Sequence, residues 1–427
     1  MAEYDDREHF IPMRVTDLVT FLCRDTGANA NQKLSDSECQ TFHRFADMLV
    51  SHYHLEYHAQ LNALKDAYAP FDPDSDTKSL EPLEGEARAT QQKQVFVDVH
   101  ELLSKANYTH LTRQELEKTI EGASAWGLEM HVDWTVFDRL EVYYRGDEMQ
   151  TRSRRPWWRL WIKQEMQVPT FKRVVIMIKQ KPGSKLDGEA DTDNLYMKLF
   201  KNMPQVDLEM VLPGTRVKLS RLDKAMIIYP VLMGFGILTY KLLREFVFES
   251  LPEIEMLKKV GGITAIGILL GGYAYRSYYS YSVKKTTYTL QLTKSLYYQT
   301  LDGNAGVLHR LLDEAEEQEV REALLAYYYL WRHAPSDGWT GKQLDDHIEN
   351  ELLTKLNLKI DFEIGDAINK LERLRIVENR GGKLVVPPLD KALKIILEKP
   401  LSDSVPPSSS GDAPMRDDRD LMASLKL

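Results

Sequence analysis

The sequence predicts an α+β membrane protein in which a two-helix transmembrane hairpin lies between folded parts. Three observations support this prediction. Residues 225–240 and residues 260–275 contain no charged side chain. Residues 128–220 show the alternating and β-branched runs that are typical of strands. The segments before and after have apolar residues at helical spacing, so helices flank a β-rich part.

The N-terminal region, residues 1–127, is predicted to be helical. Its clearest helix runs over residues 36–68, where Phe42, Leu49 and Tyr57 share one face at 100° per residue. Residues 70–92 combine Pro, Asp and Gly without any period, which indicates a loop or linker. The acidic, polar start lacks the layout of a secretory signal or a transit peptide, so we expect no export by a leader.

The rest of the chain divides into further predicted units. Residues 128–220 are expected to form a β-rich juxtamembrane domain. Residues 300–399 show helical patterns followed by a hairpin, which is the order of elements in a winged helix, and we expect a winged-helix-like C-terminal domain there. The tail, residues 400–427, has the composition of a disordered segment.

The two hydrophobic segments are predicted to be transmembrane helices, at residues 225–243 and 260–278. Both are short, because crossing a core of about 30 Å takes about 20 residues. The alternative is a buried helical hairpin in a soluble core. Tyrosines at the end of the second segment favour the membrane, since they are typical of the interface. Gly267 and Gly271 form a GxxxG pattern, which predicts close helix packing.

The basic residues flank the hydrophobic segments. Residues 1–150 carry a net charge of −14 and residues 151–224 carry +8, which favours contact with anionic lipids. One part of this basic stretch interleaves cations with tryptophans, as at a headgroup interface, and predicts membrane-interface residues. These are Arg154, Arg155, Trp157, Trp158, Arg159 and Trp161. One alternative is a half-buried segment of the β-rich domain. A site for single-stranded nucleic acid is the less favoured alternative.

The sequence predicts no metal, no cofactor and no catalytic residue. His52, His54 and His58, with His43 and Cys39 upstream, suggest a metal site, but at helical spacing at most two ligands converge. The chain has two cysteines, Cys23 and Cys39, which fits a reducing compartment, although a single bridge between them stays open. Phosphate-binding glycine loops and zinc-protease or serine-hydrolase motifs are missing from the sequence.

The segments 196–204 and 207–215 resemble the signature of an uncharacterised family, domain of unknown function 3754, which includes the mitochondrial transmembrane protein 143. The motif residues are Phe200, Lys201, Pro204, Asp207, Glu209 and Pro213. The segment 304–327 is similar to the family as well. The resemblance implies two membrane helices but no established activity. Because a transit peptide is missing, we expect a bacterial inner membrane with both termini cytoplasmic, ahead of the mitochondrial inner membrane.

We expect a scaffold or adaptor that holds soluble domains at the cytoplasmic face. An oligomeric channel or transporter subunit is the second hypothesis. A membrane-bound enzyme is the third, with Asp207 and Glu209 as a carboxylate pair, although a salt-bridged strand face explains the same pattern. The expected partners are anionic lipids, an unidentified protein and a further copy of the chain. We expect no nucleic acid, because residues 301–400 carry a net charge of −5.

Overall fold

The computed structural model describes residues 8–25, 33–77, 83–124, 129–154, 164–183, 191–218 and 296–399, together with separate helical positions between 229 and 293. These residues form an α+β fold around a five-stranded antiparallel sheet. The α-helices are α1 (Val15–Cys23), α2 (Asp36–Tyr68), α3 (Gly85–Lys105), α4 (Arg113–Ser124), α5 (Ala305–Arg332), α6 (Gly341–Leu356), α7 (Ile364–Arg373) and α8 (Leu389–Glu398). The strands are β1 (Thr109–Leu111), β2 (Glu129–His131), β3 (Phe137–Arg154), β4 (Gln164–Gln180), β5 (Leu195–Pro204), β6 (Arg216–Lys218), β7 (Thr300–Gly303), β8 (Glu378–Arg380) and β9 (Lys383–Val385).

The main sheet has the strand order β1-β3-β4-β5-β7. Its centre is the long hairpin of β3 and β4, and β5 continues it on the far side of β4. β7 then pairs with β5 and places Asp302 opposite Leu199. Residues from both sides of the hydrophobic segments therefore meet in one sheet.

The two faces of this sheet bury different partners. Side chains alternate along β4, so Val175 and Met177 belong to one hydrophobic cluster and Val174 and Ile176 to the other. The first cluster joins the sheet to α1, α2, α3 and α5 to α8. The second cluster lies under α4 and a 3-10 turn at Gln205–Val211. The helical layer and one face of the sheet thus share the first and larger of the two clusters.

Helices α2 and α5 dominate the helical layer. A capping box begins α2, in which the Ser35 side chain accepts from the backbone of Glu38 and the Glu38 side chain accepts from the backbone of Ser35. The rings of Phe45 on α2 and Tyr327 on α5 lie 4.4 Å apart between centroids. Tyr328 and its neighbours on α5 are fully buried, so the end of α5 lies in the middle of the core.

The C-terminal unit consists of α6, α7 and the hairpin β8–β9. A capping box at Thr340 begins α6, and Asn357 ends it in the left-handed conformation. The backbones of Trp339 and Leu384 exchange hydrogen bonds, which form an isolated antiparallel bridge beside the hairpin. Gly338 permits this approach, because it has a φ of +83° and a Cβ there would overlap the carbonyl oxygen of Leu384.

This C-terminal unit packs against the N-terminal helices. The ring Nε2 of His52 on α2 lies 3.2 Å from the carbonyl oxygen of Ile396 on α8. Arg373 at the end of α7 donates to Glu56 on α2 at 3.0 Å. Both ends of the described chain therefore meet in the helical layer.

The prediction of a transmembrane hairpin is wrong: among the residues that the structure describes, no helix has both the length and the apolar character needed to cross a membrane. Much of 225–243 and of 260–278 lies outside the described residues. The inner-membrane localisation, bacterial or mitochondrial, depended on those two spans and is corrected with them.

Candidate functional site

The family-motif residues lie where β5 ends and the chain turns under the sheet. Phe200 is buried opposite Val174. Lys201 is exposed, and Pro204 ends β5 at a buried position. The motif therefore continues from a central strand into the 3-10 turn that covers the second face of the sheet.

Glu209 is the chemically unusual residue of that turn. It is 4% exposed, and its Oε2 atom has no hydrogen-bond partner among the described residues. Burial raises the pKa of Glu209 to about 7. Thr215 closes the turn by donating to the backbone oxygen of Glu209 at 2.6 Å. A carboxyl group with this pKa can accept or release a proton near neutral pH.

The other two motif residues, Asp207 and Pro213, are half-buried on either side of Glu209. The carboxylate pair that we predicted from Asp207 and Glu209 stays a prediction.

The predicted membrane-interface residues fall largely outside the described part of the chain. Arg154 is the last residue of β3 and is described only in its backbone. Arg155, Trp157, Trp158, Arg159 and Trp161 lie outside the described residues. Their contact with lipid stays a prediction.

The predicted helix-packing glycines are exposed. Gly267 and Gly271 are helical, and a Cβ placed on either would meet no atom within 4 Å. Their role in helix packing stays a prediction, and no atom of the described residues fills the space beside them.

The described residues between 229 and 298 form a surface that we call the tyrosine-rich segment. Among the described residues, sixteen of the nineteen exposed large apolar side chains belong to it. They are Tyr229, Leu232, Met233, Phe235, Ile237, Tyr240, Ile268, Leu269, Tyr273, Tyr275, Tyr278, Tyr279, Val283, Leu290, Tyr297 and Tyr298. Their exposed fractions run from 44% to 77%. Exposed apolar surface on this scale marks an interaction site in a folded protein.

A buried charged cluster lies at the junction of α1, α5 and α6. Asp25, just after α1, accepts hydrogen bonds from His333 at 2.8 Å, from Lys355 at 2.5 Å and from Tyr328 at 3.2 Å. Burial opposes the charge of Asp25, but these partners outweigh burial and hold its pKa well below the usual range. The sequence offered no signal for this cluster, because Asp25 and His333 are 308 residues apart.

A second histidine extends this cluster. Nε2 of His347 lies 3.1 Å from Nδ1 of His333. Because a carboxylate can only accept, His333 donates to Asp25 from Nε2, and in the neutral ring its Nδ1 is left to accept from Nε2 of His347. Burial, and next to it the neighbouring His333, lower the pKa of His347. The chain Asp25–His333–His347 is thus an ordered set of hydrogen bonds that ties three elements together.

Cys23, Cys39 and His43 lie together, apart from His54 and His58. Cys23 and Cys39 form a disulfide that joins α1 to α2, and His43 lies beside them. His54 instead contacts Glu316 on α5 at 3.2 Å, and His58 packs against His54. The three histidines that first suggested a metal site do not converge, whereas His43 joins two cysteines.

Residues 171–306 match the profile of a family described as a protein of unknown function, DUF3754. The chain contains a DUF3754 domain. This domain begins in β4 and ends as α5 starts, so it includes Glu209, the turn around it and the whole tyrosine-rich segment. The match does not support the narrower resemblance to transmembrane protein 143. No solved structure matches the chain.

Proposed function

We propose that the protein is a scaffold that assembles with a second copy of itself through the tyrosine-rich segment of its DUF3754 domain. The observation that supports this most is the concentration of exposed apolar side chains in that segment. Each such side chain gains about 1.5–3 kcal/mol when it is fully buried. Burying about ten of them across the contact would contribute about 15–30 kcal/mol, which exceeds the cost of bringing two chains together, of the order of 4–15 kcal/mol.

The chemistry of the tyrosine-rich segment favours a second copy of the chain as its binding partner. Residues 225–240 carry no charge, so a copy can cover them without removing a charged group from water. A symmetric dimer buries the same patch on both subunits, and an uncharged apolar patch is complementary to itself. Tyrosine is also among the side chains enriched at protein interfaces.

The open glycines support close packing in such an assembly. Gly236, Gly267 and Gly271 are exposed, and the space where a Cβ would lie is empty at all three. A neighbouring helix can therefore approach the backbone at these positions.

The rest of the fold supports a rigid scaffold. β5 and β7, which flank the segment in sequence, pair directly within the main sheet. The C-terminal unit is joined to α2 through Arg373 and Glu56, and α8 contacts His52. An assembly through the segment would therefore hold two rigid bodies, each with its own exposed surface for other proteins.

Co-purification of two full-length copies that carry different tags tests the proposal. We expect each copy to retain the other through both affinity steps. The double change Leu232→Glu and Phe235→Glu places charge on two side chains that are 63% and 65% exposed, and should abolish retention. Met149→Glu is the matched control, because Met149 is 66% exposed but lies on β3, outside the segment.

Three results would contradict the proposal. One is that the wild-type copies separate completely. Another is that Met149→Glu reduces retention as much as the double change does, since the contact would then not be specific to the segment. Binding of single copies to lipid vesicles, without retention of the second copy, would also contradict it.

A further inference from the structure

Two cysteines and a histidine meet at the contact between α1 and α2. Cys23 is the last residue of α1, and Cys39 lies in the first turns of α2, with their Cα atoms 5.6 Å apart. His43 follows Cys39 by one helical turn, so both side chains project from the same face of α2. The two sulfur atoms and one ring nitrogen of His43 all lie within 4.8 Å of one another.

We propose that reduction of the Cys23–Cys39 disulfide creates a zinc site formed by Cys23, Cys39 and His43. Tetrahedral zinc holds thiolate sulfur at about 2.3 Å and imidazole nitrogen at about 2.0–2.1 Å. Those bond lengths place two sulfur ligands about 3.8 Å apart, and a sulfur and a nitrogen about 3.5 Å apart. The observed separations need only side-chain rotation to reach this geometry. Three protein ligands leave the fourth position to water.

The positions of the three ligands are held by the core beneath them. Leu18 and Leu22 anchor α1, and Phe42 and Phe45 anchor α2, all with 0% exposure. Cys23 and Cys39 themselves are partly buried, whereas His43 is exposed. An ion can therefore reach the site from solvent, and the backbone need not move to receive it.

The donor set selects the class of metal. Two thiolates and one imidazole suit zinc and related thiophilic ions, whereas calcium and magnesium prefer oxygen ligands. A thiol must lose its proton to bind, so zinc binding should release protons and strengthen as the pH rises.

The redox step uses a dithiol as the reductant. The disulfide accepts two electrons and two protons and becomes two thiols, while the dithiol loses the same electrons and protons and becomes a disulfide. Zinc then displaces one proton from each thiol. The oxidised protein has no thiolate to offer, so zinc binding should be confined to the reduced form.

Zinc titration of the full-length protein against a coloured chelator tests this proposal, in oxidised protein and in protein reduced by a dithiol that is then removed under anaerobic conditions. We expect one zinc per chain in the reduced protein and none in the oxidised protein. Cobalt added in place of zinc should give the intense visible and near-ultraviolet bands of thiolate ligation.

Variants separate a zinc site from a disulfide alone. His43→Ala removes one of three ligands at an exposed position and should weaken zinc binding by about tenfold or more. His58→Ala, an exposed histidine further along the same helix, should leave it unchanged. Cys39→Ser should abolish the cobalt bands. The proposal fails if reduced protein takes up no zinc, or if His43→Ala and His58→Ala bind it equally well.

Discussion

Lys370 donates a hydrogen bond to Glu322 at 2.8 Å between Nζ and Oε2, and the two side chains are only 5% and 4% exposed. This buried pair joins α7 of the C-terminal unit to α5 in the middle of the core. Burial opposes the charge on Lys370, but Glu322 and Glu319 outweigh burial and raise its pKa. The pair therefore fixes the C-terminal unit on the helical layer.

Lys370→Met should lower the free energy of unfolding by about 3 kcal/mol, because it leaves Glu322 buried without its cation. The double variant Lys370→Met with Glu322→Gln should recover part of that loss, since the carboxylate nearest to Lys370 is then neutral and only the more distant Glu319 has lost its cation. Lys391→Met, at an exposed position of α8, is the control and should change little. Urea unfolding measures all four proteins. A double variant that is less stable than Lys370→Met alone would contradict the account of a coupled pair.

Asp25→Asn should lower the free energy of unfolding by about 2–4 kcal/mol, because the amide cannot accept from His333, Lys355 and Tyr328 as the carboxylate does. Asp346→Asn on α6 is exposed and should have little effect. Thermal unfolding followed by circular dichroism compares the two. Equal midpoints would show that the Asp25 cluster contributes nothing to the junction of α1, α5 and α6.

Glu209 should make the protein less stable as the pH rises. Its pKa is raised from 4.5 to about 7, so the folded protein keeps a proton there that the unfolded chain has already lost between these pH values. The contribution of protonated Glu209 to the free energy of unfolding is complete below about pH 4.5 and is lost as the pH rises through about 7. Glu209→Gln should therefore stabilise the protein at pH 8 by about 1–3 kcal/mol, which is on the order of the free energy that corresponds to the pKa shift. Near pH 5 the gain should be much smaller.

Urea unfolding of wild type and Glu209→Gln at pH 5 and pH 8 measures this dependence. Glu372→Gln, an exposed glutamate on α7, is the control and should show no such dependence. The difference in free energy of unfolding between wild type and Glu209→Gln would be the same at both pH values only if the raised pKa of Glu209 had no effect on stability. That result would contradict the prediction.

The sequence predicted those features that depend on local pattern. The apolar stripe through Phe42 and Tyr57 indicated α2, and the alternation in 171–178 indicated β4. The start of α3 at Gly85 lies inside the predicted linker, because a charged segment with little apolar pattern can still be helical when part of one face packs on a core. Hydropathy identified the uncharged runs at 225–240 and 260–275, but among the described residues no helix is both long and apolar enough to cross a membrane.

Long-range contacts were beyond prediction from the sequence alone. β7 joins the sheet beside β5 across the whole hydrophobic region, and no periodicity signals such a pairing. The sequence argument about metal ligands compared positions along one helix, so it did not include Cys23, which arrives from α1. Glu209 was named from the motif, but its raised pKa follows from burial that only the fold supplies.

The full-length protein should not bind random duplex DNA in a salt-sensitive way. Lys370 and Arg373 of α7 are already engaged by Glu322 and Glu56, and the exposed side chains of α7 include Asp366 and Glu372. A helix with this charge is repelled by phosphates. An electrophoretic mobility assay at low salt and at increasing salt measures binding. Tight retardation that weakens as salt rises would contradict this prediction and point to the hairpin cations, Arg380 and Lys383.

Sedimentation equilibrium of the purified full-length protein over a range of concentrations tests self-association through the tyrosine-rich segment most directly. We predict a wild-type mass of at least twice that of one chain, 49.3 kDa, with a change to the single-chain mass in the double variant Leu232→Glu and Phe235→Glu. Met149→Glu should sediment as wild type does. A wild-type protein that sediments at the mass of one chain at every concentration would contradict the account.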